Sequence, residues 1–162
     1  MAFRWSGIQR MNTKTISFTL IMSLAMAAGV WAADDAMMGT WKLNEAKSKI
    51  GPGAPKNSTV VYAAAGDQIK VTVDGTDAQG KSAHSQWTGK FDGKDYPVTG
   101  DATADMRSYK MEGKDTLDLT NKKDGKITST GKVVVSADGK TRTVTINSAD
   151  SKVMSTAVYD KS

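Results

Sequence analysis

The chain has 162 residues, 22 basic and 17 acidic side chains, one histidine and no cysteine, with a formal charge of +5. That length suits one domain. The absence of cysteine excludes disulfides, thiol nucleophiles, cysteine-held metals and a lipid-modified N-terminal cysteine, and a lone histidine leaves any metal site to carboxylates, none of which has calcium-loop spacing.

The first 32 residues hold Arg4, Arg10 and Lys14 and no acidic side chain, followed by the apolar run Ile16–Val30 and the small-residue stretch around Ala32-Ala33. A basic head, apolar middle and small-residue end predict a secretory signal peptide, residues 1–32, cleaved after Ala32. The run is short of the roughly 20 residues that span a bilayer. Met11 heads a sufficient basic start of its own, so either Met1 or Met11 serves as the initiator. The expected destination is the bacterial periplasm or exterior. Removing the leader lowers the formal charge to +2, so the basic character belongs largely to the leader. No basic stripe with interleaved aromatics remains for a nucleic acid. A monomer without a stable membrane anchor is expected.

Residues 33–38 read as a flexible start and 39–162 as the folded domain. Ten strand-like runs follow: Thr40–Asn44, Thr59–Ala64, Ile69–Gly75, Lys81–Phe91, Lys94–Val98, Met106–Glu112, Thr116–Asn121, Lys126–Ser136, Thr141–Ser148 and Lys152–Asp160. Between the first two, Glu45–Ile50 reads as one short helical turn capped by Asn44, stopped by the Gly51–Pro55 breaker cluster. Asn57-Ser58-Thr59 matches a glycosylation sequon but reads as an ordinary loop. Asp92-Gly93, Asp124-Gly125 and Asp138-Gly139 are tight-hairpin signals, and Lys122-Lys123 reads as a solvated turn pair. Pro97 predicts a gap or an edge, because it has no N–H for a ladder. The expected fold is all-β: a single up-and-down antiparallel meander of about 8–10 strands closed into a barrel, with one short helical turn after the first strand. Closure removes the exposed edges.

Period-2 alternation assigns faces. Ile69, Val71 and Val73 share one face, as do Leu117 and Leu119, and Val144 and Ile146. Trp87 shares parity with Phe91, and Arg107 with Tyr109 and Met111. Arg142 shares parity with Val144 and Ile146. His84 lies on the polar parity and reads as a surface or rim residue. Ser129-Thr-Gly-Lys132 matches the serine–lysine S-x-x-K pattern, but that chemistry needs a helix and this segment reads as a strand. No nucleophile elbow, phosphate loop or dinucleotide fingerprint is present, so an enzyme is not expected and no cofactor or metal is implied.

The chemistry-bearing signal is arginine on an apolar face. Two inward guanidinium groups would take the anionic head of an amphipathic ligand, since arginine binds carboxylates bidentately. The alternative is that both snorkel to the rim. Candidate ligand-binding residues are Arg107, Arg142, Tyr109, Met111, Trp87 and Phe91. Gly39, Trp41 and Tyr159 are expected at the barrel seam, with Trp41 plugging one end. The expected function is non-enzymatic binding or carriage of a small apolar or amphipathic molecule. The alternative is a filled barrel serving as a structural or protein-interaction domain of the cell envelope.

Gly39-Thr40-Trp41-Lys42-Leu43 resembles the first-strand G-x-W signature of the calycin superfamily, which includes lipocalins and fatty-acid-binding proteins. Thr156–Lys161 is similar to the last strand of fatty-acid-binding proteins, and the Asp-Gly-Lys turn ladder is similar to that of small exported bacterial lipocalin-like proteins. The resemblance implies an up-and-down barrel with an internal cavity for apolar ligands. It departs at Ala157, where fatty-acid-binding proteins carry a carboxylate-binding arginine two residues before Tyr159. The two-helix lid after the first strand and the helix after the lipocalin barrel also have no counterpart here. Neither family's ligand specificity therefore transfers.

Overall fold

The computed structural model describes residues 36–162. The expected leader, residues 1–32, and residues 33–35 lie outside the described residues. Eleven strands are present: β1 (Gly39–Leu43), β2 (Lys49–Ile50), β3 (Lys56–Ala65), β4 (Gln68–Thr76), β5 (Ser82–Gly89), β6 (Tyr96–Thr99), β7 (Met106–Met111), β8 (Thr116–Lys123), β9 (Lys126–Val135), β10 (Thr141–Ser148) and β11 (Val153–Lys161). From β3 to β11 each strand pairs antiparallel with the next, β1 joins β3, and β1 returns to β11.

The sheet is a closed ring. Trp41, Lys42 and Leu43 face Lys161, Asp160 and Tyr159. Further along β11, Ser155 and Thr156 face Ile50 and Lys49. Strands β1 and β2 are therefore two halves of one interrupted stave, and the barrel has ten staves, as the hairpin pattern predicts.

The interruption is shorter than expected. A 3-10 turn covers only Glu45–Lys47, and Lys49–Ile50 return to extended pairing instead of continuing the helical turn. Asn44 caps the turn by accepting from the Lys47 N–H at 3.2 Å, and its amide donates to Asp160 at 2.7 Å. The Ser48 hydroxyl donates to Asn44 O at 2.7 Å and accepts from Val158 N–H at 2.9 Å. These bonds to β11 pull the chain back onto the sheet. Strand β2 pairs with β11 alone, leaving a groove lined by Ile50, Gly51 and Val153–Thr156.

Three local expectations are corrected. The Asn57-Ser58-Thr59 stretch lies in β3, at a bulge, because its partner β4 extends to Thr76. Lys122 belongs to β8, half-buried, with its ammonium 2.6 Å from Asp95, while Lys123 is exposed. Pro97 does not make an edge. Strand β6 is internal but thin, joined by two residue pairs to each neighbour. The preceding loop bonds to β7 in its stead, with Gly93 N–H donating to Tyr109 O and Met111 N–H to Phe91 O. The β8–β9 turn is a two-residue hairpin with both Asp124 and Gly125 at positive φ, the conformation that favours the Asp-Gly pair.

Burial along the inner face is graded. Trp41, Tyr62, Val135, Leu117, Trp87 and Tyr159 are buried at one end. Inward residues further along, including Val73, Ser85, Ser129, Ile146 and Ser155, are only half-buried. The filled end is stopped by residues expected to be loose. Met37 is fully buried, its carbonyl accepts the Trp41 indole N–H at 2.9 Å, and Ala36 and Met38 pack against the core.

Candidate functional site

The inward parity of both arginines holds, and neither snorkels to the rim. Arg107 on β7 is 7% exposed and Arg142 on β10 is 2% exposed. Their environments differ sharply.

Arg107 is paired. Its Nε donates to Asn121 Oδ1 at 2.6 Å, and its Nη2 reaches Asp101 at 2.7 Å. Asp101 comes from the β6–β7 loop, which is held in by Asp105 N–H donating to Lys122 O and by the buried Ala104. The Asn121 amide then donates to Ser129 Oγ at 2.9 Å. A polar chain, Asp101–Arg107–Asn121–Ser129, thus crosses the inner face of β7, β8 and β9.

Arg142 is caged instead by aromatic rings. Its guanidinium carbon lies 4.6 Å from the Tyr159 centroid, 5.0 Å from Tyr62 and 5.2 Å from Trp41. Its Nε and Nη1 are buried and have no hydrogen-bond partner. Among the described residues no carboxylate lies within salt-bridge distance of it. The cage comes from strand register: Arg142 faces Tyr159 on one side and Val135 on the other, and Tyr159 faces Leu43 on β1. Burial pushes the Tyr159 phenol up to about 12, an effect only partly opposed by the Arg142 cation. At neutral pH Tyr159 is a neutral phenol and does not balance the arginine charge.

The predicted aromatic candidates meet one another. Tyr109 lies 4.8 Å from Trp87 in an edge arrangement and 5.8 Å from Phe91, while Trp87 and Phe91 stack at 6.3 Å. The Trp87 indole N–H donates to Arg107 O at 2.9 Å. Met111 is half-buried and packs against the core. Burial, and next the neighbouring Tyr62, raise the Tyr109 phenol. Tyr62 joins the cluster to the Arg142 cage, 6.4 Å from Tyr109. Trp87, Phe91 and Tyr109 thus form the packed flank of the site.

Gly39 and Trp41 lie on β1 and Tyr159 on β11, the two strands that close the ring. Gly39 has φ of +104°, and a Cβ there would meet Lys161 Cε at 3.2 Å. The Lys161 ammonium lies 5.1 Å from the Trp41 ring centroid. Ala157 faces inward, buried, with no polar atom to offer. His84 is exposed on the outer face, its Nδ1 2.6 Å from Asp74. Ser129 and Lys132 point to opposite faces of β9, Lys132 pairing with Asp118 outside, so the S-x-x-K pattern assembles no site.

Tyr62, Asp101 and Asn121 were not singled out from the sequence, and Ser129 was named only within the S-x-x-K pattern. Asn121 shares parity with Leu117 and Leu119, which was the available signal. Asp101 sits in a loop, where alternation says nothing.

No protein-family model matches the chain, and no curated protein matches it. Among solved structures the chain is similar to a redesigned β-barrel, mFAP1, bound to DFHBI, at 15% identity, covering 80% of this chain and 99% of that chain, with a TM-score of 0.44. At that level the likeness carries no functional argument, and the barrel rests on the strand pairing described above.

Proposed function

We propose that the barrel binds a small amphipathic anion in its lumen, as a non-enzymatic carrier or sensor exported by way of the residue 1–32 leader. One observation carries this: Arg142, 2% exposed, has two guanidinium nitrogens without partners. Burying an unpaired charge is costly, and buried polar groups in folded proteins are almost always satisfied. A carboxylate or similar anion supplies the missing acceptors and the opposite charge. The walls leading from Arg142 toward the less-buried end carry Val144, Ile146, Leu43 and Val73, suited to an apolar chain. The calycin-like first strand is in keeping with such a role.

A second reading is favoured by the filled end. Met37, Trp41 and the aromatic cluster occupy that half of the barrel, as a barrel serving only as an envelope interaction domain would require.

Native mass spectrometry of gently purified protein, with tryptophan-fluorescence titration against lipid and organic-acid panels, separates the two. The carrier role predicts a co-purifying anion that Arg142→Met no longer retains. Empty wild-type protein that also ignores every panel member contradicts it and leaves the interaction domain.

A further inference from the structure

The second polar feature of the lumen is the Asp101–Arg107–Asn121–Ser129 chain, which lies away from Arg142 along the staves. On β9, Val135 faces Arg142 and Ser129 faces Ser148. That separation is about 20 Å of strand, or roughly 15 Å along the axis of a barrel with ordinary strand tilt. Between the two levels the inward side chains on these strands are apolar except for Ser155 beside Ile146: Val133, Val144, Ile146 and Ala157.

The hydrogen bonding of this chain is directional. Asn121 Oδ1 is taken by Arg107 Nε, and Asn121 Nδ2 donates to Ser129 Oγ. With its oxygen accepting from Asn121, the Ser129 hydroxyl keeps its own proton to donate, and the residue is half-buried on the inner face. The charge balance is also directional. Arg107 is neutralised by Asp101 at 2.7 Å, with side-chain exposures of 9% and 19%. Only Arg142 is left with an unbalanced positive charge in the described lumen.

We propose that the ligand is a monoanion of medium chain length with a neutral hydrogen-bond acceptor near its far end, and that Ser129, held by Asn121, recognises that group. The inference rests on the proposed ligand-binding role and specifies its substrate class: an acid with a distal hydroxyl or carbonyl oxygen. A dianion is disfavoured, because its second carboxylate would meet the Ser129 end of a chain whose one cation, Arg107, is already neutralised by Asp101.

Isothermal titration of the purified protein with dodecanoate, ω-hydroxydodecanoate and dodecanedioate tests this. The hydroxy acid should bind about tenfold tighter than dodecanoate, the effect of one good hydrogen bond in a desolvated site. The diacid should bind more weakly than the hydroxy acid. In Ser129→Ala, a small change at a half-buried position, the hydroxyl preference should shrink to within about twofold. In Asp101→Asn, which frees the Arg107 charge, the diacid should gain on dodecanoate by about tenfold. Wild-type binding of dodecanoate as tight as that of the hydroxy acid overturns the inference while leaving the carrier role standing. So does a hydroxyl preference that survives Ser129→Ala. If none of the three acids binds, both fall together.

Discussion

The guanidinium of Arg142 lies 4.6 Å from the ring centroid of Tyr159, the residue opposite it on β11. Two of its nitrogens are buried without acceptors. Cation–π contact with a desolvated ring contributes about 2 kcal/mol. The desolvation of an uncompensated ion costs several. Arg142→Met is therefore expected to leave the ligand-free protein as stable as wild type or to stabilise it by about 1 kcal/mol, measured by urea unfolding. A loss of more than about 2 kcal/mol would assign Arg142 to structure instead.

Trp41 is the opposite case. It is fully buried, its indole N–H is bonded to Met37 O, and it sits on the strand that closes the ring. Trp41→Ala should cost roughly 3–5 kcal/mol, the usual range for a buried aromatic. Trp41→Phe keeps most of the packing and loses the hydrogen bond, so about 1–3 kcal/mol is expected. Thermal melts of both variants check the order. Near-neutral values would contradict closure at this seam.

Arg107 and Asp101 form a largely buried pair that also bonds to Asn121. Breaking such a pair from one side leaves a stranded charge. Asp101→Ala or Arg107→Ala should each cost about 3–5 kcal/mol. The double variant should cost clearly less than the sum. A double-mutant cycle reads this coupling directly, and additive losses would show that the loop is not held by the pair.

Alkaline pH should weaken the fold through buried tyrosines. Tyr159 titrates near 12 when folded and near 10 when unfolded. The folded state therefore holds the proton more tightly. The contribution is fully present below pH ~10 and is lost as pH rises toward ~12, a change of roughly 2–3 kcal/mol for this residue. Tyr109 is shifted in the same direction. Tyrosinate absorbance should develop late and together with unfolding, and Tyr159→Phe should flatten stability between pH 10 and 12. Titration of every tyrosine near pH 10 in folded protein would contradict their burial.

The barrel was readable because its signals are local. Period-2 alternation placed Leu117, Leu119, Val144 and both arginines on the inner face, and Asp-Gly pairs marked the hairpins. Closure followed from counting staves. The division of labour between Arg107 and Arg142 was not readable. It depends on Asp101, which reaches inward from a loop without periodicity, and on Asn121, whose polar side chain sits at an apolar parity. The early return of the chain at Lys49–Ile50 depends on Ser48 bonding to Val158, 110 residues away in sequence. Met37 looked like the end of a loose lead-in because its burial is supplied by the closed barrel below it.

The central claim is that Arg142 receives an anion inside the barrel. Calorimetric titration of wild type and Arg142→Met with dodecanoate and with the uncharged dodecanol tests it most directly. The account predicts that wild type binds the acid at least tenfold tighter than the alcohol, and that Arg142→Met removes this preference, a difference of about 1.4 kcal/mol or more. Equal affinities for acid and alcohol in wild type, or an acid preference that persists without the guanidinium, would contradict it.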